Sequence, residues 1–482
     1  MENGGGGKSM KWMLAAFALL FAASSAPARQ TEVLFFLDTE DYTDPATADS
    51  IKRFADLFAD EGVRAHFAIV GFLADQLVSW GRRDVLDSLK PHLVGTQTLY
   101  HSRHPDICEL TDVEDFGIAY GRVFDEERRA AESMRRATGG MDVWCAVPPG
   151  NSKSYAAFYA WADLGIPFVC DTVVWDGADS DLWYCNVRQV RYDTTMEIYV
   201  PGWARNPPSI PALLDSLAVR RRVVLYAHPH FAVRTIHWDS VNYNRTNSVA
   251  WGEWKPAPER PAAETEAYFA KVRELVRTIK ADPRFATTDL SRLPAPAPRK
   301  TLRLADLPGV KAALERNFGP VDSPASWCVA DVFLAVVGFL RGESAYSPGR
   351  VYGFLSAPRG VTAPVAVSRA ALVRAAHEMD VTKFLPPSIR VGDAEIGPAD
   401  FLFAAMETLA TGAETVVVRP REQLGDLDAL PELKSFRLKG TWVHTPALED
   451  RFLSDRLRWQ LWTLRREEGA ASPSAKAGLL RP

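Results

Sequence analysis

The chain has 482 residues, which is more than one ordinary domain core accommodates, so we expect two domains. Hydrophobic residues make up 47% and charged residues 24% of the chain, as in soluble globular proteins. The formal net charge of -4 provides no basis for binding nucleic acid and leaves neutral partners such as carbohydrate open.

The N-terminal residues have the order of a secretory signal peptide. Lys8 and Lys11 precede an apolar run over 12–23, and the small-residue motif Ala26-Pro27-Ala28 follows. We predict a signal peptide over residues 1–28, and therefore a secreted, periplasmic or cell-surface protein. No later segment has the roughly 20 apolar residues that a membrane span requires, so we expect no transmembrane segment after cleavage.

Strand-like and helix-like segments alternate after the signal peptide. The apolar run 33–37 predicts a strand, and residues 47–61 have the apolar spacing of a helix. The same alternation continues through strands at 65–70, 94–98, 143–146, 167–170 and 223–227, with helices around 85–89 and 119–137. This order predicts an α/β fold with a parallel sheet curled into a distorted (β/α)-barrel over 29–292.

A proline-rich stretch ends this region. Residues 293–298 alternate proline with small residues, and we predict an extended linker over 293–300. Beyond it, amphipathic helices at 368–377 and 399–409 predict a smaller, mainly helical accessory domain over 301–468. The Ala/Ser/Pro-rich tail over 469–482 is predicted to be disordered.

The five cysteines lack the close spacing of a metal-binding motif, so we do not assign them to a zinc site. They are Cys108, Cys145, Cys170, Cys185 and Cys328. One disulfide among residues 145, 170 and 185 is compatible with their separation in the sequence, but the pairing is not determined by it.

Three carboxylates follow the first predicted strand: Asp38, Glu40 and Asp41. Parallel α/β barrels place their active sites at the carboxyl ends of the strands. Carboxylates so close together repel one another, and they therefore require a metal, another cation or a raised pKa. The structural alternative is an acidic start to the next helix.

Histidines follow two other predicted strands. His101 and His104 come after the strand at 94–98, and His228 and His230 come after the strand at 223–227. Neutral imidazole combines well with carboxylate around a borderline divalent ion. Histidine also titrates near neutrality and can donate a proton to a leaving group.

In this order, the three elements resemble motifs of the NodB-homology polysaccharide deacetylases, a carbohydrate esterase family, over about residues 31–290. The resemblance implies that Asp38 is the general base and that Asp41 is a metal ligand, with Glu40 as the alternative ligand. It also implies that His228 protonates the leaving group, with His230 as second choice.

The family's second motif, His-Ser/Thr-x-x-His, corresponds to Gln97-Thr98-Leu99-Tyr100-His101. The resemblance therefore implies Gln97 and His101 as further ligands of a divalent metal, zinc. An amide oxygen is a poorer zinc ligand than imidazole, and His104 is a candidate to compensate.

Two further motifs lack a charged pair that the family has. Arg-Pro-Pro-Tyr corresponds to 147–150, which begins with Val147, and Asp-Ser/Thr-x-Asp-Trp corresponds to 171–175, which lacks the second Asp. Losing one buried charge alone costs roughly 3–5 kcal/mol, whereas losing both can be nearly neutral, so we interpret the two differences as one coupled change. The resemblance assigns substrate binding to Gly150, Asp171 and Trp175, with an oxyanion-holding backbone N–H near Gly150.

In the C-terminal region, residues 371–409 resemble a pseudomurein-binding repeat, which implies attachment to cell-wall glycan; a helical accessory domain is the alternative. The whole pattern predicts an exported metal-dependent hydrolase that removes acetyl groups from an N- or O-acetylated saccharide. Two alternatives remain. One is a catalytically inactive carbohydrate-binding member of the same fold, and the other is a C–N hydrolase acting on a small molecule.

Overall fold

A computed structural model describes residues 29–170, 181–242, 249–294, 299–322, 325–425, 438 and 443–466. The predicted signal peptide, the central linker residues 295–298 and the predicted tail lie outside these ranges. Within the described ranges, no helix combines the length and the apolar character needed to span a bilayer.

The described residues between 29 and 290 build one large sheet and the helices that cover it. Its strands are β1 (Thr31–Thr39), β2 (His66–Ile69), β3 (Leu93–Thr96), β4 (Val143–Ala146), β5 (Phe168–Cys170), β6 (Leu182–Tyr184), β7 (Val187–Val190), β8 (Thr194–Thr195), β9 (Arg222–Ala227) and β10 (Phe285–Thr287). The helices are α1 (Ala48–Asp60), α2 (Gly71–Ser79), α3 (Arg83–Ser88), α4 (Ile107–Thr111), α5 (Phe116–Thr138), α6 (Tyr155–Asp163), α7 (Ile210–Leu217) and α8 (Ala262–Ala281).

The strand order is β6-β7-β5-β4-β3-β2-β1-β9-β8, and β10 also pairs with β1. All of these pairs are parallel except β6 with β7. Four strands separate β7 from β1, yet the ring of Tyr192, just after β7, lies 5.4 Å from that of Phe36 in β1, which shows that the sheet is strongly curled. The segment between β7 and β8 therefore crosses the open side of the barrel.

Strand alternation gives β1 two different faces. Val33, Phe35 and Leu37 belong to the core beneath the helices, whereas Leu34 and Phe36 belong to the apolar cluster inside the curl. By the same alternation, Asp38 lies on the inner face. The interior of the barrel is thus apolar at its base and carries a carboxylate toward the carboxyl ends of the strands.

Local sequence signals account for the helix ends near this edge. Asp106 caps the start of α4 with a capping box. Its carboxylate accepts hydrogen bonds from the backbone N–H groups of Cys108 and Glu109, and the carboxylate of Glu109 accepts one from the backbone N–H of Asp106. Asp115 caps α5 by accepting from Ile118 N, and α5 ends at Gly139, whose φ of 77° favours glycine.

The C-terminal part has a second apolar core around two buried helices. Its helices are α9 (Leu307–Arg316), α10 (Val329–Leu340), α11 (Arg369–Glu378) and α12 (Pro398–Thr411). Three antiparallel two-stranded ribbons pair β11 (Leu302–Arg303) with β12 (Ala345–Tyr346), β13 (Val365–Ser368) with β16 (Thr415–Val418), and β14 (Ile389–Val391) with β15 (Ala394–Ile396).

The last described segment returns to the barrel. Helix α13 (Leu453–Trp459) packs its leucines into the barrel core, while the neighbouring Trp462 belongs to the C-terminal core. Strand β17 (Arg465–Arg466) pairs antiparallel with β6 at the edge of the large sheet. The hydroxyl of Tyr159 in α6 donates to Gln460 Oε1 at 2.7 Å.

The predicted α/β class, with a curled parallel sheet followed by a helix-rich C-terminal region, is confirmed. The predicted domain limits stay predictions. The sequence indicated β14, as a short strand over 389–391, but it did not indicate the other ribbon strands of the C-terminal part or β6 to β8, which are only two to four residues long.

Candidate active site

Asp38 occupies the inner face near the end of β1. Its side chain is buried, and its Oδ1 accepts a hydrogen bond of 2.8 Å from the hydroxyl of Tyr192. Burial raises the pKa of Asp38 to about 7, although the nearby His228 acts in the opposite direction. This carboxyl group therefore takes up a proton much more readily than an ordinary aspartate does.

Glu40 lies two residues further along, at the centre of a group of imidazoles. Its Oε1 is 3.2 Å from His101 Nε2 and 3.5 Å from His228 Nε2. Its Oε2 is 3.3 Å from His237 Nε2 and accepts a 2.9 Å hydrogen bond from Trp238 Nε1. Burial opposes ionisation, but the surrounding histidines, His101 above all, hold the pKa of Glu40 well below its usual range.

His228 follows β9 and faces both carboxylates. Its Nε2 lies 3.7 Å from Asp38 Oδ2, and its Nδ1 lies 2.6 Å from Glu197 Oε1. The backbone N–H of His228 also donates to Glu197 at 2.7 Å. Burial disfavours the imidazolium, yet the carboxylates of Glu197 and Glu40 raise the pKa of His228 to about 10.

His237 is held in the same way from another loop. Its Nδ1 lies 3.0 Å from Asp239 Oδ1, and Asp239 in turn accepts a hydrogen bond from Ser102. Burial is again opposed by carboxylates, and Asp239 is the main cause that raises the pKa of His237 to about 9. A carboxylate on Nδ1 fixes the ring so that Nε2 faces Glu40.

His230 completes this group of rings. Its ring centroid is 4.7 Å from that of His237 and 5.4 Å from that of His228. Neither ring nitrogen has a hydrogen-bond partner among the described residues. Burial holds the pKa of His230 well below its usual range, so this imidazole is neutral.

The structure separates the two ligand candidates that follow β1. Both carboxylate oxygens of Asp41 are engaged by its own loop: Oδ1 accepts from the Thr43 hydroxyl at 2.6 Å, and Oδ2 accepts from the Thr47 hydroxyl at 2.9 Å. Burial raises the pKa of Asp41. Glu40, rather than Asp41, faces the histidines.

The second predicted motif lies partly within the group. His101 faces Glu40, as described above, whereas His104 Nδ1 lies 2.7 Å from Glu109 Oε2. Gln97 is buried after β3, and its Oε1 has no hydrogen-bond partner within the described part of the chain. Of the three predicted metal ligands, His101 alone contacts Glu40.

Gly150 lies in the 3₁₀ turn Pro149–Asn151 that follows β4, with a φ of 51°. Val147, which stands where the family motif has arginine, packs in the inner apolar cluster. Tyr192 supplies the polar contact to Asp38 instead. Asp171 and Trp175 lie outside the described residues.

Glu40, His228 and His237 have the donor chemistry of a divalent-cation site. Each contributes one ligand atom, and the three atoms lie within 4.8 Å of one another. Two imidazoles and one carboxylate form a common set of protein ligands for a borderline cation. The carboxylates on both Nδ1 atoms are the outer-sphere partners that such ligands usually have. The residues present therefore fit a divalent cation.

Neither a protein-family profile nor a curated protein sequence matches the chain. Solved structures similar to it include a family 4 carbohydrate esterase from Streptomyces lividans in complex with acetate, at 14% identity and a TM-score of 0.31, covering 54% of this chain and 95% of that one. A family 4 esterase from Streptococcus mutans has 12% identity and a TM-score of 0.32 and covers 54% and 86%. A family 4 pseudoenzyme from Bacillus anthracis has 12% identity and a TM-score of 0.30 and covers 55% and 71%. At such low identities and TM-scores, the activities of these proteins are not assigned to this chain.

Sequence reasoning did not select Tyr192, Glu197, His237 and Asp239. The pattern His237-Trp238-Asp239 is a usable signal for one of them, because it offers an imidazole and a carboxylate two residues apart on one loop. Glu197 carries no such signal, since its partner His228 lies 31 residues away.

Proposed function

We propose that the barrel site belongs to a metal-dependent hydrolase that removes acetyl groups from an N- or O-acetylated saccharide. The observation that carries the proposal is the position of Asp38, a buried carboxyl group beside the donor set of Glu40, His228 and His237. Zinc is the cation that this donor set suits best. We give the ligand role to Glu40, because Asp41 is engaged by two threonines.

Asp38 serves as the base. With a pKa of about 7, it accepts a proton from the attacking water at neutral pH and can return that proton to the departing amine or alcohol. Tyr192 orients the carboxylate through its 2.8 Å hydrogen bond. In this scheme, the Tyr192 hydroxyl helps to hold the catalytic carboxylate in place, which is a role of the arginine in the family motif.

A divalent cation in this site would polarise the acyl carbonyl as a Lewis acid and acidify the water beside it. Glu197 and Asp239 hold the Nε2 atoms of His228 and His237 toward the centre. His228 has a second candidate role, the proton donor implied by the family resemblance, because its Nε2 is also 3.7 Å from Asp38.

Aromatic side chains beside the histidines support a saccharide as substrate. Trp203 is 46% exposed, and its ring packs 4.7 Å from that of Phe231. The Phe231 ring lies 5.9 Å from His228. An exposed indole near the site offers a flat apolar face on which a sugar ring can stack. Export and attachment to cell-wall glycan remain part of the proposal through the signal peptide and residues 371–409.

Metal analysis and an acetate-release assay test the proposal together. The purified chain should contain a stoichiometric divalent metal and release acetate from at least one acetylated glycan, such as a chitin oligosaccharide or acetylated xylan. Asp38→Asn should retain the metal and lose about 100-fold or more of the rate. Glu127→Gln provides a matched control, because Glu127 is a fully buried carboxyl group of α5 outside this site.

The inactive alternative gains support from Val147, whose apolar side chain leaves Asp38 without an arginine. It makes a different prediction: glycan binding measured by calorimetry without acetate release from any glycan. Absence of both metal and acetate release would refute the proposed hydrolase.

A further inference from the structure

An arginine follows His101 closely on the loop after β3. Arg103 is two residues after His101, and its backbone N–H donates to the carbonyl oxygen of Tyr100 at 3.1 Å, so both side chains leave the same turn. The Cα atoms of residues 101 and 103 are therefore at most about 7 Å apart. Since the His101 ring faces Glu40, Arg103 lies at the edge of the candidate active site.

Two aromatic rings contact the guanidinium of Arg103. Its Cζ lies 4.7 Å from the ring centroid of Tyr100 and 5.3 Å from that of Trp251. All three side chains are partly exposed. The ring of Phe72 supports both aromatic side chains, with centroid distances of 5.7 Å to Tyr100 and 5.2 Å to Trp251. Cation–π contacts of this kind hold a long side chain in one position.

The same aromatic group reaches the centre of the site. The ring of Trp251 lies 5.0 Å from that of Tyr42, which in turn lies 4.6 Å from the ring of Trp238. The Trp238 Nε1 donates to Glu40, as described above. Burial raises the pKa of Tyr42 well above its usual range, and the Arg103 guanidinium opposes this rise. The cation is therefore within electrostatic reach of the residues around Glu40.

Within the described ranges, the Arg103 guanidinium has neither a carboxylate partner nor a hydrogen-bond acceptor. Arg53 differs in this respect, because its guanidinium lies 4.0 Å from the centroid of the Phe269 ring and also pairs with Glu266 at 2.9 Å. The N–H groups of a guanidinium lie in its plane, so rings that contact its faces leave the donors at its edge available. Their fork matches the two oxygens of a carboxylate.

We propose that Arg103 binds the carboxylate of a uronic acid residue, so that the saccharide substrate is an acidic acetylated glycan. The inference rests on the proposed function for the saccharide and adds the charge that this saccharide carries. A uronic acid residue combines the two features that the edge of the site accommodates. Its carboxylate suits the arginine fork, and its ring suits the flat faces of Tyr100 and Trp251.

Calorimetry with two forms of the same ligand tests the proposal. The full-length chain is titrated with a short oligogalacturonide and with its methyl ester, and then with an oligomannuronide and its methyl ester. The ester keeps the sugar and removes the charge of the carboxylate. We expect at least one acid form to bind roughly tenfold or more tightly than its ester, because the hydrogen bonds to Arg103 are charge-assisted. High salt should reduce this difference, since the ion pair is partly exposed.

Arg103→Gln should abolish the difference between acid and ester, and Arg103→Lys should keep only part of it, because lysine has the charge but not the fork. Arg53→Gln is the matched control: it changes another arginine that lies over an aromatic ring, and the full difference should remain. No binding, or equal affinity for acid and ester in both pairs, overturns the inference. A difference that survives in Arg103→Gln also overturns it. Because the titration requires no acetate release, its failure is distinct from failure of the proposed hydrolase.

Discussion

His66 should make the stability of the barrel depend on pH. Its imidazole is fully buried in β2 and stacks on Phe36, with ring centroids 4.2 Å apart. Nδ1 lies 2.8 Å from the carbonyl oxygen of Phe35, to which it donates, and Nε2 accepts from the Leu290 backbone N–H at 2.9 Å. Protonation of Nε2 would replace this acceptor with a second donor. The native structure therefore holds a neutral ring.

The size of the effect follows from the pKa. Burial lowers the pKa of His66 from 6.5 to about 4. Between these values the unfolded chain binds a proton that the native chain does not, so the contribution of His66 to stability is complete above pH 6.5 and is lost as the pH falls. From about pH 7 to about pH 5, this linkage removes about 2 kcal/mol from the free energy of unfolding.

Urea unfolding followed by tryptophan fluorescence measures this loss at both pH values. His66→Gln keeps a donor and an acceptor but does not titrate, so its pH-dependent loss should be about 2 kcal/mol smaller than that of the wild type. His377→Gln is the matched control, because His377 is exposed on α11, and its loss should equal that of the wild type. An equal loss in His66→Gln and the wild type would refute the reasoning.

Three further variants test the proposed site and the barrel. His228→Ala should lose the bound metal together with acetate release; loss of release with the metal retained would instead assign His228 to proton donation. Tyr192→Phe removes a hydrogen bond that lowers the pKa of Asp38, so less of the Asp38 base is ionised at neutral pH. The rate of acetate release at neutral pH should therefore fall roughly tenfold or more. An unchanged rate would show that Tyr192 has no part in the mechanism. Asp181→Ala leaves Arg188 buried without its carboxylate and should cost roughly 3–5 kcal/mol in urea unfolding; a cost below about 1 kcal/mol would contradict that burial argument.

The parts of the site that follow from local patterns could be predicted. Apolar runs identified β1 and β9, and the rule that active sites lie at strand ends selected Asp38 and His228. Strand alternation also predicts which of the carboxylates after β1 faces the interior of the barrel. Continued past Asp38, it places Glu40 on the inner side and Asp41 on the other, as the contacts of both residues indicate.

The remaining contacts depend on the folded chain. Tyr192 reaches Asp38 only because the sheet curls until the segment after β7 lies above β1. Asp106 and His444 contact each other although 338 positions separate them, so no rule based on local spacing indicates this pair. Contacts of this kind can be identified only from the tertiary structure, because periodicity and motif spacing relate residues that are close in the sequence.

The return of the last segment to the barrel has a consequence for how the protein is made. The Tyr159 hydroxyl donates a hydrogen bond to Gln460, which lies 301 positions later in the chain. The leucines of α13 belong to the same apolar core as the residues of β1. During synthesis, the core of the barrel is not fully covered until residues 453–464 have been made. A ribosome that stops after residue 300 would therefore release an unfinished barrel with exposed apolar surface, which is a substrate for chaperones and proteases. Quality control during synthesis therefore depends on residues 453–464 as much as on the first strand.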